Sequence, residues 1–168
     1  MNDINFTQND MIKMQNILRQ NNETITCAES CTGGLIASEI TKIAGSSSIF
    51  KGSIVTYCNE VKEKELGVSK QTMIDNGVVS IEVVNEMLDG VIKKFDASYA
   101  VAVSGVAGPG GGTKDKPVGM VVVGACTSNG LKDTQIYHFK GDRISVQNQA
   151  KNKALEKVFK FISKTLDK

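Results

Sequence analysis

The chain has 168 residues, 40% of them apolar and 23% charged, with a formal net charge of +2. That length holds one domain with a sizeable core, so residues 1–168 are read as a single unit, and the small charge and scattered lysines exclude a nucleic-acid footprint. No window reaches the ~18 apolar residues of a membrane span, and the opening MNDINFTQND lacks the segments of a secretory signal, so a cytoplasmic location is expected.

Residues 8–20 set Met11, Ile12, Ile17 and Leu18 on one helical face. Thr24–Ala28 reads as a strand. A helix over Gly33–Ala44 turns Leu35, Ile36, Ile40 and Ile43 inward and stops at Gly45. After a serine-rich corner, GSIVTYC is a strand, and Asn59 is placed to cap a short helix ending at Gly67. Ser69 caps another short helix, and Ser80 opens a longer one carrying Val83, Val84, Met87, Leu88, Val91, Ile92 and Phe95. SYAVAVSG has few polar residues and is predicted to be a strand buried on both faces. Pro117–Thr127 is a second apolar strand, and SNG at 128–130 turns it into Asp133–Phe139. The last helix runs from about Arg143 to Leu166. Alternating helices and strands followed by a hairpin predict a layered α/β sandwich, with a mixed sheet covered by helices.

The four cysteines, Cys27, Cys31, Cys58 and Cys126, fall on or beside predicted strands and read as small core residues. With His138 as the lone histidine, a metal site would need thiolates at unsuitable spacings, and none is expected.

The stretch CAESCTGG at 27–34 joins a strand to a helix. Side chains there reach the rim of the sheet, and the helix's first N–H groups favour an anion or a developing oxyanion. The same residues also suit a plain cap and turn, with Thr32 capping and Gly33 and Gly34 turning the chain. A nucleophilic Ser30 needs a base. His138 lies mid-strand in the late hairpin and is a poor candidate. Lys62 is a better one, provided it is neutral; it sits in the first turn of its helix, where the dipole disfavours a cation, although Glu60 and Glu63 oppose that effect. Tyr57, at the end of the preceding strand, is placed to relay a proton or hold the lysine. The loop SGVAGPGGGTKDKPVG packs six glycines into 16 residues. No G-K-[ST] follows, and a strand rather than a helix comes next, so it is neither a Walker loop nor a dinucleotide fingerprint. It is long for a hairpin, which suits either a mobile connection or amides lining a pocket. Arg143 opens the last helix, where its fork suits a phosphate or a salt bridge to Asp142 equally well.

Together, TCAESCTGGLIASEIT, IAGSSSIFKGSIVTYCNEVKEKELGV, GVVSIEVVNEM, YAVAVSGVAGPGGGTKDKPVG and GDR resemble the CinA C-terminal domain family, the nicotinamide-nucleotide amidases. The stretches are ordered over about residues 8–165, and the chain is similar to the stand-alone form. The resemblance implies hydrolysis of the carboxamide of nicotinamide mononucleotide to nicotinate mononucleotide and ammonia, in pyridine-nucleotide salvage. Ser30 is then the nucleophile and Lys62 its base, with Tyr57 assisting. The resemblance further implies substrate contacts at Thr32, Gly33, Gly34, Ser47, Gly105, Gly108, Gly111 and Arg143. It implies no metal or cofactor, a small-molecule nucleotide substrate, and a homodimer or larger homo-oligomer. Cys58 and Thr113 stand where serine is common in the family. The competing readings are a non-catalytic nucleotide-binding module and an amidase for another small carboxamide.

Overall fold

Runs of valine, alanine and isoleucine in the middle of the chain have no polar face to show to water, and they become the central strands. In the computed structural model, which describes residues 6–166, β1 (Ile25–Glu29), β3 (Tyr99–Gly105) and β4 (Met120–Thr127) are buried over nearly their whole length. The outer strands, β2 (Phe50–Val55) and β5 (Lys132–His138), are half-buried to exposed. The order across the sheet is β2-β1-β3-β4-β5. β1 runs parallel to both neighbours, whereas β4 is antiparallel to β3 and β5. This is the layered α/β architecture with a mixed sheet that the sequence predicts.

Strand alternation sorts the core into two layers. Cys27, Val101 and Val123 face one way, into a layer built with α1 (Gln8–Gln20), α2 (Leu35–Thr41) and α6 (Arg143–Leu166). Ala28, Ala100, Ala102 and Val122 face the other way, against α5 (Ile81–Phe95) and the end of α3 (Asn59–Leu66). A short helix, α4 (Lys70–Asn76), packs on α5. Glycine lets α3 approach closely: a Cβ on Gly90 of α5 would lie 2.0 Å from the Leu66 carbonyl oxygen. No other residue fits there, and this contact holds α3, with Lys62 on it, against the domain.

Capping follows the sequence in most places. Thr7 and Asp10 form a capping box on α1, and Ser69 and Ser80 cap α4 and α5. Three local expectations differ. Cys58, not Asn59, is the N-cap of α3, and it makes no side-chain capping bond. Cys58 is therefore exposed, while Cys27, Cys31 and Cys126 are buried; all four are free thiols. On α1, Ile12 is exposed and Gln15 is buried instead. The Gln15 amide can be buried because its Nε2 donates to the Ile40 carbonyl at 2.9 Å and its Oε1 accepts from Arg19.

The connections decide where a ligand could enter. β1 leads into α2 on one face, and β2 leads into α3–α5 on the other. The chain thus diverges beside β1, and a crevice opens at the carboxyl ends of β1, β2 and β3.

Candidate active site

Glu29, the last residue of β1, organises the turn that follows. Its carboxyl group is fully buried, yet it is well supplied with donors. Oε1 accepts from the Thr32 hydroxyl at 2.7 Å and from the Gly34 and Ile36 amides at 3.2 and 3.0 Å. Oε2 accepts from the Ala37 amide at 3.0 Å. The start of α2 therefore already holds its anion, supplied from within the chain. Thr32, Gly33 and Gly34 wrap this carboxylate. The Gly33 amide donates to the Ser30 carbonyl at 3.1 Å and the Leu35 amide to the Thr32 carbonyl at 3.1 Å. Over residues 31–36, only the Cys31 and Thr32 amides are left without an acceptor among the described residues.

Ser30 follows directly and is 8% exposed at the mouth of the turn. Lys62 reaches it from the first turns of α3. Its Nζ lies 3.1 Å from Ser30 Oγ and donates to the Thr56 carbonyl at 2.6 Å. Thr56 is itself fixed, its amide donating to the Glu29 carbonyl at 2.7 Å. The end of β2 is thereby tied to the end of β1, and the lysine is aimed at the serine. Lys62 is only 1% exposed, and no carboxylate lies within ion-pairing distance among the described residues. Burial pulls its pKa below the ordinary lysine value, against weaker opposition from Cys58 and Cys31. Burial thus raises the uncharged fraction of this amine relative to a solvated lysine. In its uncharged form it has a lone pair to accept the Ser30 hydroxyl proton.

Cys31 is the weaker candidate nucleophile: burial pushes its thiol up to about 12, which disfavours the thiolate. His138 is exposed at the end of β5, with two strands between it and β1.

The cleft beside Ser30 encloses about 330 Å³. Tyr57, Gly105, Gly108, Gly111 and Arg143 line it. Val78, Val79 and Ser104 line it too and carry no signal in the sequence; they reach the cleft only because the α4–α5 connection folds over the end of β3. Arg143 forms no salt bridge with Asp142. Its Nη1 donates to the Gly108 carbonyl at 2.7 Å, and its Nη2 donates to the Tyr57 hydroxyl. Tyr57 is 58% exposed and contacts Arg143 rather than Lys62 or Ser30. Ser47 sits on an exposed 3-10 turn, Ser46–Ser48, before β2 and outside the cleft. Gln147 of α6, unmarked in the sequence, donates to the Cys31 carbonyl at 2.9 Å and braces the turn from the opposite side. A larger groove of about 560 Å³ lies between β5 and α6, where Lys153, Lys157 and Lys160 are each matched to an acid.

Fold and site together define an α/β protein with a serine hydroxyl and a buried amine at the carboxyl edge of its sheet. A serine beside a lysine amine is one of the arrangements that acyl-transfer chemistry can use. The chain belongs to the CinA C-terminal domain family, whose profile matches residues 8–162. It is 45% identical over 149 residues to the nicotinamide-nucleotide amidohydrolase PncC of Escherichia coli K12, covering 88% of this chain and 90% of that protein. It is 48% identical over 134 residues to a CinA-like protein of Fervidobacterium nodosum, covering 80% of this chain. The chain spans about a third of the length of such longer relatives, 33% in that case. Among solved structures, a CinA superfamily protein from Klebsiella pneumoniae 700603 superposes with a TM-score of 0.89 at 30% identity, covering 95% of this chain and 99% of that one.

Proposed function

We propose that the chain hydrolyses the carboxamide of nicotinamide mononucleotide, releasing ammonia and nicotinate mononucleotide. The observation that carries this is the 3.1 Å approach of a buried, carboxylate-free Lys62 amine to Ser30 Oγ. The name of the E. coli relative supports the choice of substrate. Neutral Lys62 takes the Ser30 proton as Oγ bonds to the amide carbon. The oxyanion that forms is held by the Cys31 and Thr32 amides, since Glu29 occupies the later ones. Lys62 then gives its proton to the departing nitrogen, the C–N bond breaks, and ammonia leaves an acyl ester on Ser30. Water attacks that ester, giving a proton to Lys62, which returns it to Ser30 Oγ as the ester bond breaks. Arg143, held by Tyr57 and Gly108, offers its cation to the nucleotide phosphate. Tyr57 orients Arg143 in this scheme. The product feeds pyridine-nucleotide salvage, and the working form is a homo-oligomer.

An ammonia-release assay with nicotinamide mononucleotide, run beside Ser30→Ala, tests the proposal. Release by the natural chain and none by the variant is expected. Nucleotide binding without ammonia from either protein would identify a binding module instead. Arg143→Ala is expected to raise KM for the nucleotide more than for nicotinamide riboside; equal rises would remove the phosphate role.

A further inference from the structure

We propose that Lys116 is a positioning residue that fixes the width of the cleft by clamping the glycine-rich loop onto the α4–α5 connection. The effect on substrate rests on the amidase reading above; the clamp itself does not.

Most lysines are solvated, but Lys116 is half-buried, and its bonds go to main-chain carbonyls of another segment. Its Nζ donates to the Val79 carbonyl at 2.6 Å and to the Asn76 carbonyl. Asn76 ends α4, so the cation meets a carbonyl that the helix leaves without an internal partner, at the negative end of its dipole. No carboxylate competes for it among the described residues. The base of the clamp is also fixed. Thr113 and Lys116 close a turn on each other, the Thr113 amide donating to the Lys116 carbonyl at 2.9 Å and the Lys116 amide to Thr113 Oγ1 at 3.0 Å.

The segment that Lys116 grips is a wall of the cleft. Val78 and Val79 both line it, and the Ser104 hydroxyl donates to the Val78 carbonyl at 3.0 Å from the end of β3. The loop is pinned again at Gly108 by Arg143. Between the two pins lie Gly110, Gly111 and Gly112, exposed and with no side chain to hold them. Gly110 and Gly111 line the cleft with Ser30, and their position depends on the pins. Gly77 leaves room for the clamp: it has φ +76°, and a Cβ there would lie 2.6 Å from Lys116 Nζ.

Three variants test this: Lys116→Met, Lys116→Arg and Gly77→Ala, the last displacing the amine without removing its charge. In the ligand-free Lys116→Met protein, amides of residues 77–80 and 110–113 are expected to exchange hydrogen about tenfold faster or more, with the global unfolding midpoint little changed. KM for nicotinamide mononucleotide rises about tenfold while kcat stays within about threefold. Gly77→Ala shows the same changes in exchange and KM, with a lower unfolding midpoint because alanine is strained at φ +76°, and Lys116→Arg recovers part of the loss. Unchanged exchange overturns the clamp, whatever reaction the protein runs. Faster exchange with unchanged KM, or a loss confined to kcat, overturns its role in shaping the site. If the natural chain releases no ammonia from this nucleotide, the functional reading fails, and the exchange result still decides the clamp.

Discussion

The β1–α2 turn and the β3–β4 loop face each other across one cleft and are held in opposite ways. The turn is short and buried from Ser30 to Thr32, with Glu29, Thr56 and Gln147 tying its main chain to three other elements. The loop is long and largely exposed, gripped at Gly108 and, through Lys116, at the α4–α5 connection. The difference suits the proposed reaction. Proton transfer between Ser30 and Lys62 in that scheme would tolerate errors of only about half an ångström, a precision that dense burial provides. Admitting and releasing a nucleotide would require a wall that can yield, which a glycine run with few anchors provides.

The comparison breaks first at the dyad. Ser30→Ala and Lys62→Met are each expected to lower turnover by about 10³-fold or more in the ammonia assay. Lys62→Met should stay folded in a urea titration, because the relief of burying an amine offsets the loss of its bond to the Thr56 carbonyl. A near-normal rate in that variant would remove the lysine from the mechanism. The pH profile comes next. Burial lowers the folded-state pKa of Lys62, so the neutral amine fraction, and with it kcat/KM, rises with pH through a midpoint below the ordinary 10.5. Between the folded and unfolded pKa values of Lys62 the unfolded chain binds more protons at this residue, so the lysine's own contribution to stability rises with pH across that window, against the buried thiols Cys27, Cys31 and Cys126, whose raised pKa values act in the opposite direction. Lys62→Met should remove the activity slope and this one contribution to the stability slope.

Glu29 sharpens the contrast between the two regions. Glu29→Ala strips four acceptor contacts from the start of α2 and should cost about 3 kcal/mol in a urea titration. A loss below ~1 kcal/mol would show that the turn does not depend on its internal anion. The smallest effect is expected at Cys58→Ser. A serine there can supply the capping bond that Cys58 does not make on α3, raising stability by about 0.5–1 kcal/mol with turnover within about twofold. No gain would mean that the backbone at position 58 is not free to accept a cap.

Much of this fold was legible because its signals are local. The capping serines Ser69 and Ser80 announce their helices, and the apolar runs of β3 and β4 announce burial. Ser30 and Lys62 were legible as candidates from their places at a strand–helix turn and a helix start, and the family resemblance singled them out. Glu29 was not: nothing local says whether a strand-end acid faces water or the first amides of the next helix. Tyr57 likewise lies one residue from the Lys62 anchor Thr56, yet its hydroxyl turns to Arg143, 86 positions away in the chain. Ser47 carries a sequence match but lies on an exposed turn outside the cleft.

By itself the sequence determined which segments become helices and strands, because periodicity, capping and turn chemistry act over a few residues. It also held the two candidate reactive groups. Only the tertiary structure decided that Lys62 is buried beside Ser30, that Glu29 fills the helix start, and that Lys116 and Arg143 pin one loop. Each of these depends on contacts between residues far apart in sequence, and desolvation, which sets the chemistry of the lysine, exists only once the layers close over it.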